Sequence, residues 1–541
     1  MKVISRVLLA AALSTAATGC ESFLDINENP NQATSVTPDA LLASALVTTA
    51  ANYTGGVANG QNYNSYSSFA AGYWGKSGTV SGFAEEQTYN YTSNYYQNLF
   101  SSTYDNLNDY NIIQQQGTAS GYPNHAAIAR IMKVYNFLLL VDQYGDIPYT
   151  DALQGLANTS PTYDKADEIY RDFIVQLKGA ISDINAAGTD ARPVTSEDVV
   201  FRGDMKKWKQ FANSLQLRIL LRESQTNDAG LNTYVATEMT ALQTAAVADG
   251  FIDADVVAQP GYAANSNQQN PFYNRYGFAP GLVNPTSEYN FIVPTNYIIR
   301  QYESNNDPRI SQLYRRGTVD SVSAYSGTTL GEPNPPQYDP ETPRVGSRLL
   351  NPTAARPLGG TFLRSPTQPT VLMLLSEHLF SKAEAETRNL LAGGDAAART
   401  DFNNGIEASF LFTYRTAPFV PTALADVTAT TAGVAQYNTY ISANATNPLV
   451  NFDIAPSSGS LGKQSVIIYQ KYLAENTVAS TEAWADYRRT AQPKFEVSLR
   501  AATPGRLPTR LFYPQTEVST NAANLPTGVD QFTKIFWDVV D

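Results

Sequence analysis

Between residues 124 and 143 the side chains Ile128, Ile131, Met132, Tyr135, Leu138 and Leu139 recur at intervals of three and four. That spacing lines them along one stripe of an α-helix, whereas a strand would alternate at every second residue. Tyr144-Gly145 closes the helix, and Ile147-Pro148 cannot continue it. The same stripe returns in "KADEIYRDFIVQLKGAISDI", carried by Ile169, Phe173, Ile174, Leu177, Ile181 and Ile184. It returns again in "DMKKWKQFANSLQLRILLRES", carried by Trp208, Phe211, Leu215, Ile219 and Leu220. One such helix cannot bury its stripe alone. Several in succession, joined by turns, predict a mostly α fold with paired helices of the tetratricopeptide (TPR) kind, although no strict consensus repeat is present.

Elsewhere the periodicity is weaker. In "TPDALLASALVTTAANY", Thr37 is placed to cap a helix and Pro38 fits its first position. Residues 53–96, rich in Tyr, Gly, Ser and Asn, read as loops with a short helix or two, and residues 97–115 read as helix. Over residues 250–369 Pro, Asn, Gly and Tyr dominate and long helices stop; so long an irregular stretch in an ordered domain usually carries function. Helix resumes at about 370–392, in "DFNNGIEASF" and in "STEAWADYRRT", and the C-terminal end is loop-like.

The only cysteine, Cys20, lies in "ATGCESFLD". Lys2 and Arg6 precede an apolar run from Val7 to Ala17 that is too short to span a bilayer, and small residues lead from it into Cys20. This resembles a bacterial lipoprotein signal, in which Cys20 becomes the acylated N-terminus; an ordinary signal peptide beside a chance cysteine is the alternative. Three acyl chains would hold the protein firmly, at about 0.8 kcal/mol per buried methylene. Cleavage there removes Lys2 and Arg6 and moves the net charge from −12 to −14. So acidic a chain, without basic runs, argues against nucleic acid as a partner. No later stretch is long and apolar enough to span a membrane. In "DINENPNQ" the Asp25, Asn27 and Asn29 spacing resembles a calcium loop, but Pro30 and Val36 stand where glycine and glutamate are needed, so no metal site and no cofactor is predicted.

Seven stretches, in order along nearly the whole chain, resemble the SusD/RagB family of outer-membrane nutrient-binding lipoproteins, closest to its SusD-like branch. They are "CESFLDINENPN", "DQYGDIPYTDAL", "KWKQFANSLQLRILLR", "NNDPRI", "SEHLFSKAEAE", "NNGIEASF" and "EAWADYRRT". The resemblance implies a mostly α SusD-like fold: four TPR-like helix pairs and a large loop-rich portion that binds ligand. Residues 1–19 would be the signal peptide, 20–36 a lipidated tether, and 37–541 a single domain. Within it 37–249 and 370–490 would be mainly helical and 250–369 a loop-rich insert. It also implies an oligosaccharide or, in some members, a peptide as ligand, and a TonB-dependent SusC-like outer-membrane transporter as partner. The lipid on Cys20 would hold the protein at the outer membrane, and Glu21 and Asp25 resemble the signal for its outer face.

The residues point to binding rather than catalysis. His125 and His378 both fall in predicted helices and read as packing or capping groups. No nucleophile, zinc or phosphate-loop motif is present. Glu85-Glu86 and Asp253-x-Asp255 read as solvated surface; a glycoside hydrolase would need two carboxyls facing across a sugar. Sugar binding needs an aromatic face for the C–H side of a pyranose and polar groups for its hydroxyls. Charged residues are only 16% of the chain and Tyr numbers 33, so the surface can supply both. Trp208, Trp484 and Trp537 lie in helical or C-terminal motifs and read as core. Trp74 sits in "FAAGYWGKSG" between Gly72 and Gly75 and reads as a stacking platform, with Tyr73, Tyr66 and Asn64 nearby. The second candidate set is Phe272, Tyr273, Asn274, Arg275 and Tyr276 in "NPFYNRYGF", which can stack and hydrogen-bond together. Asp307 and Arg309 read as a turn with an ion pair, and Arg488 and Arg489 as ties between helix ends and carboxylates. Three other readings stay open: a peptide ligand, a hydrolase, and a TPR-like structural partner without a small ligand.

Overall fold

The computed structural model describes residues 36–56, 61–281, 284–338, 341–353 and 358–539. Cys20, the signal segment and all but the last residue of the predicted tether lie outside the described residues. Helices of eight or more residues are α1 (Pro38–Ala50), α2 (Tyr63–Ala70), α3 (Asn98–Ala119), α4 (Pro123–Tyr144), α5 (Ala166–Ala186), α6 (Met205–Arg222) and α7 (Ala229–Asp249). They continue with α8 (Asn296–Glu303), α9 (Leu375–Thr387), α10 (Gly394–Tyr414), α11 (Val434–Ala443), α12 (Lys463–Glu475) and α13 (Ser480–Thr490). The periodic segments are helical as expected, and α3 packs on α4, α5 on α6, α9 on α10 and α12 on α13, four pairs in chain order. Among the described residues no helix is long and apolar enough to cross a membrane.

Nine short strands complete the described fold: β1 (Trp74–Lys76), β2 (Val256–Ala258), β3 (Ile292–Pro294), β4 (Tyr314–Arg315), β5 (Gly317–Val319), β6 (Val322–Ala324), β7 (Arg344–Val345), β8 (Arg348–Leu349) and β9 (Thr370–Met373). All described pairs are antiparallel: β1 with β3, β2 with β9, β4 with β8, and β5 between β6 and β7. Strand β2 carries the chain out of α7, and its partner β9 leads back into α9, so the loop-rich segment leaves and rejoins the helices at one place. One apolar cluster runs from Leu42 to Trp537, and a smaller one lies between α9, α10 and α12.

The helix pairs are joined by a buried ionic lattice. Arg218 of α6 binds Glu377 of α9 at 2.7 Å and Glu482 of α13 at 3.4 Å. Arg222 binds Asp142 of α4 and Glu482, and Tyr170 of α5 donates to the same Asp142. Arg489 binds Glu384 at 2.6 Å and Asp486 at 2.8 Å, and Lys471 of α12 binds Asp486 at 2.7 Å. Glu475 is the odd member. Lys471, 3.8 Å away, is turned to Asp486, and both Glu475 carboxyl oxygens lack a hydrogen-bond partner. Burial pushes its pKa well above the usual value. Four of the stretches that resemble the family supply these side chains: Asp142, Arg218 and Arg222, Glu377 and Glu384, and Glu482, Asp486 and Arg489.

The two histidines and the Asp307–Arg309 turn hold structure. His125 is buried in α4 with Nε2 3.0 Å from Glu197. His378 is buried in α9 against Phe251, and desolvation drives its pKa far below the usual value. Arg309 closes on Asp307 at 2.6 Å with 1% of its surface exposed.

Candidate functional site

Strands β1 and β3 bring the two predicted regions together. Trp74 lies opposite Pro294, Gly75 opposite Val293 and Lys76 opposite Ile292. Next to this ribbon a six-residue helix, Pro271–Tyr276, is capped by Asn270, whose Oδ1 accepts from the Tyr273 N–H at 3.0 Å. Asn62 caps α2 through the Ser65 N–H, and its amide donates to the Tyr276 hydroxyl at 2.9 Å.

The predicted platform is a wall. Trp74 has no exposed surface; its Nε1–H donates to Thr477 Oγ1 at 2.9 Å, and its ring meets Tyr276 edge-on at 5.0 Å. The flanking glycines explain why. Gly72 turns the chain at φ 70°, and a Cβ on Gly75 would fall 1.9 Å from Thr328 Cγ2. These glycines let the tryptophan strand pack inward, and they do not display it. Tyr73 is also fully buried, stacked on Tyr472 at 4.5 Å. Tyr66 is buried among Tyr91, Tyr95 and Tyr96. Asn64 ties α2 to the turn before α13, donating to Thr477 O at 2.7 Å and accepting from the Ser480 N–H at 3.2 Å. Phe272 and Tyr273 are buried, Phe272 lining a separate cavity of about 50 Å³. Asn274 is exposed.

Trp74, Arg275 and Tyr276 nevertheless line one large cavity of about 810 Å³ between residues 61–96 and 275–292. That volume lies within the range of small-ligand sites, roughly 300–1,000 Å³. Its partly exposed aromatic faces come from residues the sequence reading passed over: Phe83, Tyr95 and Phe291. Phe83 packs on Phe69 at 5.2 Å and meets Phe291 edge-on at 6.3 Å. Tyr95 stacks on Tyr91 at 4.3 Å. Phe83, Tyr89 and Tyr96 hold φ of 62°, 55° and 53°, in the left-handed region that bulky residues avoid. Such strain is kept where the surroundings over-determine it, and it clusters at binding sites. The rim carries exposed Thr92 and Asn94.

The charges of this cavity are lopsided. Arg275 pairs with Glu288 at 2.5 Å. Glu85 and Glu86 add two carboxyls on the same wall. Glu86 is not the solvated surface residue expected: it is 5% exposed, and burial raises its pKa to about 7 although the Tyr95 hydroxyl donates to it at 3.0 Å. Asp255 is likewise buried, paired with Arg415 and accepting from the Leu375 N–H at 2.8 Å. The signal for the aromatic wall of this cavity was the run of aromatics from Phe83 in "FAEEQ" to Tyr96, whose spacing matches no regular element.

The family profile described as "SusD-like: Starch-binding associating with outer membrane" matches residues 30–514. The chain belongs to the SusD-like family. Solved structures of similar fold include a chitin-binding protein, 21% identical, with TM-score 0.70, covering 93% of this chain and 100% of its own. A SusD/RagB family protein from Bacteroides thetaiotaomicron is 21% identical, with TM-score 0.64 and coverage of 90% and 95%. A SusD homolog from Bacteroides uniformis is 22% identical, with TM-score 0.66 and coverage of 92% and 99%. At these identities the SusD-like relatives show the shared fold. No curated protein matches the sequence.

Proposed function

We propose that this protein binds a neutral oligosaccharide in the 810 Å³ cavity and passes it to a TonB-dependent SusC-like transporter, held at the outer membrane by a lipid on Cys20. The observation that carries the reading is the pairing of aromatic faces at Phe83, Tyr95 and Phe291 with a polar rim. Aromatic faces stack on pyranose C–H groups, and the rim serves hydroxyls. The carboxyls of Glu85, Glu86 and Glu288 face a single guanidinium, so an acidic sugar would meet net repulsion. Family membership and the printed descriptions of relatives, starch-binding and chitin-binding, support a glycan over a peptide.

Titration calorimetry with starch- and chitin-derived oligosaccharides, acidic oligosaccharides and short peptides tests this. One neutral glycan class is expected to bind. Phe83→Ala is expected to weaken it about tenfold, roughly 1.4 kcal/mol, by removing a stacking face. Peptide binding with no glycan binding would overturn the reading. A hydrolase reading draws on Glu86, whose pKa of about 7 suits a general acid; release of new reducing ends from a bound glycan, abolished in Glu86→Gln, would replace binding with catalysis.

A further inference from the structure

Arg510 is buried, with 3% of its surface exposed, yet among the described residues no carboxylate lies within ion-pair distance of it. Its guanidinium lies 4.9 Å over the Tyr513 ring, and Nε–H donates to Leu511 O at 3.3 Å. Nη2 has no hydrogen-bond partner. A guanidinium keeps its charge at any physiological pH, and a buried charge without a counter-charge is costly. Arg218, Arg222 and Arg489 of the buried lattice meet that demand with carboxylates, and buried Arg488 meets part of it with the carbonyls of Asp142 and Thr509.

The space beside Arg510 has the form of an answer. A cavity of about 270 Å³ is lined by Gly145, Lys165, Arg510, Tyr513, Thr533 and the first residues of α5. Gly145 clears the approach: a Cβ there would lie 3.0 Å from Arg510 Nη1, and its φ of 73° already favours glycine. The positive end of the 21-residue helix α5 opens on the same cavity, since Ala166 and Asp167 line it. Two carboxylates share the wall. Asp146 is held by Lys165 at 2.7 Å and accepts from the Ala166 N–H at 3.0 Å. Asp167 lies 3.9 Å from Arg171.

We propose that this cavity is a second binding site, separate from the aromatic one, and that it takes a small oxyanion on Arg510, Lys165 and the α5 N-terminus. The oxyanion is a sulfate, phosphate or carboxylate, free in solution or carried on a sugar. A fork of N–H donors facing an oxyanion gives short charge-assisted bonds, which a lysine cannot reproduce. The site is independent of the neutral-glycan reading, because its charge is opposite and it lies against α5 and the C-terminal segment.

Calorimetric titration of the full chain with sulfate, phosphate and glucuronate, at ionic strength held constant with chloride, tests the proposal. Saturable one-to-one binding of sulfate or phosphate identifies a free ion, and binding of glucuronate alone identifies a sugar carboxylate; either supports the site. Arg510→Lys is expected to weaken binding about tenfold. Lys165→Gln, at an exposed side chain, is expected to weaken it about threefold. If Arg510→Lys fails to fold, Lys165→Gln decides. No saturable binding of any of the three anions, or binding unchanged in every variant that folds, overturns the proposal.

Discussion

Arg222→Met lowers the stability of the fold by about 3–5 kcal/mol, the range for removing one partner from a buried ion pair. The cause is the carboxylates left behind. Asp142 and Glu482 both bind Arg222, and both are buried, so each would keep a charge with a weakened counter-charge. Burial raises the pKa of Asp142 even with Arg222 in place, and Arg222 is the first influence opposing that rise. Methionine fills much of the same volume, so cavity formation is a minor part of the loss. Urea unfolding of the wild type and the variant measures the difference. A loss below about 1 kcal/mol would show that the lattice contributes little net stability. The triple variant that also replaces Asp142 and Glu482 with apolar residues of similar size is expected to recover most of the loss, because no charge remains unpaired. That recovery would separate stranded charge from damaged packing.

Glu86→Gln changes how stability responds to pH. The folded-state pKa of Glu86 is about 7 against an ordinary value of 4.5, because burial disfavours the carboxylate. The folded protein therefore holds this proton more tightly than the unfolded chain. The stability it contributes is fully present below pH 4.5 and is lost as pH rises through 7. Glutamine keeps the hydrogen bond from Tyr95 and never ionises. Its stability relative to wild type is expected to climb between pH 4.5 and about 7.5 by on the order of 3 kcal/mol, then level off. Denaturant unfolding of both proteins across that span checks it. Parallel curves would mean that water reaches Glu86 freely and that the aromatic wall is open there.

The periodic segments carried their own structure. Residues 166–186 show a clean apolar stripe because one face of that helix is buried and the other meets water, whereas 123–144 and 205–222 keep the apolar spacing although nearly every position of 125–144 and all of 211–222 are buried. The 13-residue α12 had no such stripe to read. Every residue from Val466 to Glu475 is buried, so Gln470, Lys471 and Glu475 stand on faces that amphipathic logic assigns to solvent. Lys471 is inside because α13 supplies Asp486 at 2.7 Å, and Gln470 because its amide donates to the Tyr440 hydroxyl and to Leu449 O. The family-like stretches identified Arg488 and Arg489 as structural ties, and Arg489 binds Glu384 and Asp486 while Arg488 donates to Asp142 O at 2.6 Å and Thr509 O at 2.8 Å.

At the site the division is sharper. Local sequence placed aromatic and polar residues at 64–74 and 270–278, and the tertiary structure decided which faces remain open. Glycines beside Trp74 looked the same whether they freed a loop or let a strand approach Thr328, and only the β1–β3 pairing distinguishes the two. Composition suits a neutral polar ligand, since aromatics and amides are abundant and charges few, but it does not single one out. Which aromatics line the cavity is set by packing across more than two hundred positions of chain, between Phe83 and Phe291, a relation no local pattern can encode.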